Sequence, residues 1–128
     1  MDALYERALV LSQKCQMNQR HVTIITHNNK IIVEEVNYTA DYLCHKFSIH
    51  SEVAAIASLM KKVPNRSKHY TKECSMYVFR VGRDSSFRMS RPCKNCEQAI
   101  CNASIGKVFY STDNPDLPSP IYRNHPNA

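Results

Sequence analysis

The sequence predicts an α/β chain, with one mixed β-sheet covered on both faces by helices. Three observations carry this. Candidate helices and strands alternate along most of the chain, an order that buries a sheet between helical layers. Two runs rich in β-branched residues, 22–26 and 31–37, flank His27-Asn28-Asn29-Lys30. Asn accepts the positive φ of a tight hairpin, so this part of the sheet is antiparallel. Met76-Tyr77-Val78-Phe79-Arg80-Val81 is almost continuously apolar. That is the pattern of a central strand buried on both faces.

The elements follow in order. Asp2 can cap a first helix that runs to about residue 17, with Leu4, Ala8, Leu11 and Cys15 on one apolar face. The hairpin comes next. Residues 38–47 read as a loop. Ser48 can cap a second helix whose buried stripe is Val53, Ile56, Ala57 and Met60, with His50 extending it backward. Pro64 ends that helix. Residues 65–72 form a polar connection in which Arg66, Lys68 and Lys72 come closest to a basic cluster. After the central strand, Gly82-Arg83-Asp84 turns the chain, and residues 87–89 lead to Pro92. A third helix places Cys93, Cys96, Ile100 and Ala103 on one side. Gly106 separates it from the strand Val108-Phe109-Tyr110-Ser111. The tail, residues 113–128, carries Pro115, Pro118, Pro120 and Pro126, which no helix tolerates, and has room for a short edge strand at 121–123.

Bulk properties narrow the function classes. A chain of 128 residues suits one domain spanning 1–128. At this size folding buries roughly two-thirds of the unfolded surface, so stability alone demands neither metal nor disulfide. Hydrophobic residues make up 43% and charged residues 22%, an ordinary globular balance. The net charge of +6 fits an anionic partner such as a nucleotide or nucleic acid, and equally a soluble basic surface. No apolar run approaches the roughly 20 residues of a membrane span. The first residues are amphipathic and include Asp2, Glu6 and Arg7, unlike a secretory leader, so a cytoplasmic location is expected. In that compartment the six cysteines are not a disulfide framework. Cys93 and Cys96 fit a metal pair, Cys15, Cys74 and Cys101 read as buried thiols, and Cys44 beside His45 has no assigned role.

The chemistry gathers in two short motifs, His50-Ser51-Glu52 and Pro92-Cys93-Lys94-Asn95-Cys96. Cys93 and Cys96 are three apart at a helix start, on one face, where the unpaired backbone N–H groups favour a thiolate. Pro92 just before them cannot donate a backbone hydrogen bond and helps fix the approach of the chain. His50 at the other helix start supplies a nitrogen. Three protein ligands leave a zinc ion one open position, the mark of a catalytic rather than a structural site. A fourth ligand from Cys44, His69 or Cys74 would close it. Glu52 argues for the open form. It is too near His50 to share the same ion, yet well placed to take a proton from a zinc-activated water.

These residues resemble the zinc-dependent cytidine and deoxycytidylate deaminase superfamily, whose signature is a His-x-Glu and a Pro-Cys-x-x-Cys in this order. The element order agrees over residues 22–111. The resemblance implies a three-layer α/β/α sandwich with about five strands. It implies zinc held by His50, Cys93 and Cys96, and Glu52 as proton shuttle. It suggests Asn37 as the ribose-contacting Asn, although a strand-ending turn residue is the alternative. It places backbone groups near Ser51 and Arg91 at the polar edge of the base. Ser51 stands where many relatives have Ala. Arg91 either meets a phosphate or is a solvated surface arginine. Tyr38, Tyr42 and Phe47 lie in the right loop to stack on a base, with Phe47 better suited to packing before the second helix.

The function so implied is hydrolytic deamination of a cytosine nucleoside or nucleotide, such as cytidine, deoxycytidine or dCMP, in pyrimidine salvage. A small-molecule substrate and a homo-oligomer are expected. The alternatives are a base deaminase acting on tRNA adenosine or single-stranded cytosine, and a non-catalytic zinc fold used for interaction. The first needs a basic groove with interleaved aromatics, which is not evident here. The intact Glu52 argues against the second. The last strand favours a free nucleoside, whereas the charge and Arg91 favour a nucleotide.

Overall fold

The Asn28-Asn29 turn sets the register of the sheet. Both residues take positive φ, 52° and 64°, between the paired residues His27 and Lys30. That geometry is a two-residue hairpin turn matched to strand twist. It joins β1 (Arg20–His27) to β2 (Lys30–Val36). The computed structural model describes residues 2–63, 68–113 and 122–124.

The apolar run becomes β5 (Cys74–Val81), which pairs antiparallel with β1 and parallel with β7 (Lys107–Ser111). The strand β8 (Tyr122–Asn124) pairs antiparallel with β7 at the edge. The order is β2-β1-β5-β7-β8, and the short β6 (Phe87–Arg88) lies beside β5. Ile121 and the four tail prolines lie outside the described residues, as do Pro64, Asn65 and Arg66.

Alternation along the strands builds the layers. Val22, Ile24 and Phe79 face α1 (Asp2–Ser12), where Ala8 and Leu11 cover them. Ile25, Met76, Val78 and Val108 face the other way, onto α2 (Ser51–Lys62) and α4 (Lys94–Ala103), through Ala55, Leu59 and Ile100. Fully burying side chains such as Leu59 or Phe79 stabilises the fold by roughly 1.5–3 kcal/mol each. The mixed sheet with helices on both faces is the expected sandwich. Among the described residues no helix is long and apolar enough to cross a membrane.

Several local expectations are corrected. The first helix ends at Ser12, because its hydroxyl donates back to the Leu9 carbonyl at 2.7 Å and the chain turns. Cys15 is buried beyond the helix end, so the periodicity outruns the helix. Residues 38–47 are not a loop. They belong to a hairpin, β3 (Tyr38–Tyr42) with β4 (His45–Ile49), turning at Leu43 and Cys44 with φ of 49° and 66°. Ser48 is therefore a strand residue paired with Thr39, and α2 starts at Ser51 with His50 as its cap. This rotates the buried stripe onto Ser51, Glu52, Ala55 and Leu59. Val53 is 41% exposed, Ala57 is also exposed, and Ile56 and Met60 pack at the margin. Phe47 is 47% exposed on the hairpin rather than packed in the core. The polar connection holds a short helix, α3 (Lys68–Lys72).

One glycine is required by contact. A Cβ on Gly106 would sit 1.9 Å from the Lys72 carbonyl oxygen, while the Gly106 N–H bonds to Thr71 O at 3.2 Å. This approach fixes how the chain passes from α4 into β7.

Candidate active site

The site begins with two unusual helix caps. Helices prefer Ser, Thr, Asp or Asn at the cap, whose side chain bonds a free backbone N–H. Here the caps are His50 on α2 and Cys93 on α4, both extended, and neither side chain makes a capping hydrogen bond. They turn toward each other instead. Cys96, one turn into α4, joins them. His50 Nδ1 lies 3.2 Å from Cys96 Sγ and 3.7 Å from Cys93 Sγ, and one ligand atom from each of the three residues lies within 4.8 Å of the others. Tetrahedral zinc with ordinary bond lengths spaces a nitrogen and a sulfur about 3.6 Å apart, so the trio fits that ion. Its charge balance fits as well. Burial, then the Glu52 carboxylate and the neighbouring Cys93, push the Cys96 thiol well above its ordinary range. A cation at the trio reverses that preference and allows the thiolate. Cys44 and His69 are exposed, and neither they nor the buried Cys74 belong to the group.

Glu52 stands beside the trio. It is 4% exposed, yet it lines a cavity of about 830 Å³ together with His50 and Cys93. That volume is within the range of roughly 300–1,000 Å³ typical of small-molecule sites. The cavity opens where β1 begins and β2 ends, and it reaches the segment that links α1 to β1.

Asn37 and Arg91 also line the cavity. Asn37 stitches its rim. Its Oδ1 accepts from the His21 N–H at 2.9 Å and from the Cys15 thiol at 3.0 Å, and its Nδ2 donates to Gln19 O at 2.7 Å. The second Nδ2 contact is to the Met17 thioether at 3.3 Å, a weak acceptor. Arg91 is exposed, with Nη2 3.9 Å from Glu97 Oε1. Ser51 does not line the cavity. It is fully buried, and its hydroxyl faces Thr23 and Glu52. Of the three candidate stacking aromatics, Tyr38 lines the cavity.

Several contributors were not evident from the sequence motifs. Lys14 brings a second cation to the cavity. His21 also lines it, and burial pushes its imidazole below the usual range against the opposing pull of Glu52, so it stays neutral near pH 7. Ser90 and Ser111 are buried and clasp the loop that delivers Arg91 and Cys93. Ser90 Oγ is 2.8 Å from Val78 O and 2.9 Å from Ser111 Oγ, and Ser111 Oγ donates to Arg88 O at 2.8 Å. Alternation in β1 gives the signal that could have found His21. Residues 21, 23 and 25 share the face that meets α2.

A mixed-sheet sandwich with a His-Cys-Cys trio at two adjoining helix starts defines a zinc protein of the base-deaminase type. The chain belongs to the family described as the cytidine and deoxycytidylate deaminase zinc-binding region, whose model matches residues 1–112. Zinc is its cofactor. No curated protein matches the chain significantly. Among solved structures it is similar to the dCMP deaminase of the cyanophage S-TIM5 in complex with dCMP and dUMP. That match has a TM-score of 0.59 and 19% identity, covering 85% of this chain and 78% of that one. The apo form of the same enzyme gives 0.57 and 19%, covering 91% and 85%. At this identity the likeness speaks for the fold.

Proposed function

We propose that the protein catalyses hydrolytic deamination of a cytosine nucleotide, with dCMP the first candidate, giving the uracil product and ammonia. The observation that carries this reading is Glu52, a buried carboxylate on a large cavity, directly beside a three-ligand metal cluster. A structural zinc has no use for such a group.

In this reading His50, Cys93 and Cys96 hold the zinc. Bound there, the ion would supply acidification of water, bringing its pKa down to about 7 in the best-known case. Glu52 accepts the proton of the attacking water and passes it to the ring nitrogen as C4 becomes tetrahedral. It then takes the proton of the hydroxyl newly bonded to C4 and delivers it to the departing amine. The C–N bond breaks, ammonia leaves, and the oxygen of water remains as the new carbonyl. Transfer by a positioned carboxylate contributes typically 10²–10⁴-fold.

Substrate contacts follow from the lining of the cavity. Arg91 and Lys14 supply two cations for a phosphate. Asn37 can redirect the N–H now spent on the Met17 thioether toward a sugar hydroxyl. Ser51, fully buried and outside the cavity lining, is not among these contacts.

The test is ammonia release from cytosine, cytidine, deoxycytidine, their monophosphates, guanine and a short single-stranded RNA, assayed side by side. The expected result is fastest release from a cytosine monophosphate. Release from the RNA alone would replace the reading with base editing.

A further inference from the structure

Thr23 on β1 and Ser51 at the start of α2 are both fully buried, with hydroxyl oxygens 2.8 Å apart. Two hydroxyls at a sheet–helix seam are not a packing solution, since a valine and an alanine would fill the space without polar atoms to satisfy. Their hydrogen bonds run in one direction. Ser51 Oγ donates to Glu52 Oε1 at 3.2 Å. A carboxylate has no hydrogen to give, so the single Ser51 proton is committed to Glu52. Ser51 must then accept from Thr23. The chain is Thr23 O–H to Ser51 O–H to Glu52 carboxylate, and each bond polarises the next.

We propose that Thr23 is a positioning residue for Glu52. Acting through Ser51, it pins one carboxylate oxygen, so that proton transfer falls to the other. Neither hydroxyl lines the cavity, and neither belongs to the metal trio. The inference rests on the reading of Glu52 as the proton carrier.

The experiment measures kcat and KM with the substrate that the panel selects, per mole of bound zinc, for Thr23→Val, Thr23→Ala, Thr23→Ser, Ser51→Ala, Glu52→Gln and the Thr23→Val/Ser51→Ala double variant. Thr23→Val is expected to lower kcat about 5- to 10-fold with KM within about twofold, the scale of one buried hydrogen bond. Thr23→Ser should restore kcat to within about twofold, and Thr23→Val should cost nothing further in the Ser51→Ala background. Thr23→Ala cannot overpack the seam, so it carries the same test if the valine variant fails to fold. Wild-type kcat in Thr23→Val or Thr23→Ala, with Glu52→Gln inactive, overturns the positioning role alone. An active Glu52→Gln overturns the reading of Glu52 itself. A serine variant no better than valine assigns the loss to packing and also overturns the proposal.

Discussion

The starts of α2 and α4 look alike in backbone and differ in what they bury. Each is capped by a residue whose side chain forgoes capping, His50 in one and Cys93 in the other. A lost cap costs about 1 kcal/mol of helix stability, so two such losses side by side mark a place where the side chains serve something else. Beyond the caps the two diverge. In α4 the next residues, Lys94 and Asn95, are exposed, and the buried member is the thiol of Cys96. In α2 the next residues are Ser51 and Glu52, both buried, with Ser51 bonded to Thr23 on β1 and to Glu52. In the proposed reading, α4 contributes charge for holding the ion and α2 contributes a proton path. The difference teaches that a metal site becomes catalytic through what lies behind its ligands as much as through the ligands.

Removing the shared part has the largest effect. Cys96→Ser or His50→Ala should reduce zinc from about one per chain toward none and abolish ammonia release, read by metal analysis and a coupled ammonia assay. Breaking only the α2 side separates the two roles. Glu52→Gln should keep its zinc while kcat falls about 10²–10⁴-fold. The Thr23 series probes the same side one bond further back, with a smaller loss.

The α4 side is sharpened by Arg91→Ala, which should raise KM for the monophosphate about tenfold while leaving deoxycytidine unchanged, as a lost charge-assisted contact would. Equal changes for both would place Arg91 away from the phosphate.

The smallest effect is on acid stability. Burial lowers the His21 pKa in the folded protein from its ordinary 6.5. Below 6.5 the unfolded chain binds a proton that the folded chain resists, so stability declines as pH falls from there through the folded value. A bound cation nearby acts in the same direction. His21→Gln should flatten that part of a denaturation-versus-pH curve, and an unchanged curve would show that His21 charges freely.

What the sequence made legible depended on whether a residue type declares its backbone. Asn28-Asn29 declared a hairpin because Asn tolerates positive φ. Leu43-Cys44 adopts the same geometry with residues that rarely do, and Leu43 is 75% exposed, so that hairpin read as loop. With that segment read as loop, the α2 cap falls on Ser48 instead of His50, since Ser is the better cap by type. The metal trio survived this shift because its spacing is local to each motif. Thr23 and His21 are only half legible, for another reason. A strand residue reveals its face by alternation, but not which helix covers that face. The Ser90–Ser111 clasp joins residues 21 apart, and nothing local to either announces the other.

The most direct test of the central claim is one sample of Glu52→Gln assayed for zinc and for ammonia released from dCMP beside the wild type. The expected result is about one zinc per chain in both proteins and ammonia only from the wild type. Wild-type release from the variant would contradict it and leave the two helix starts as a metal site without the proton path.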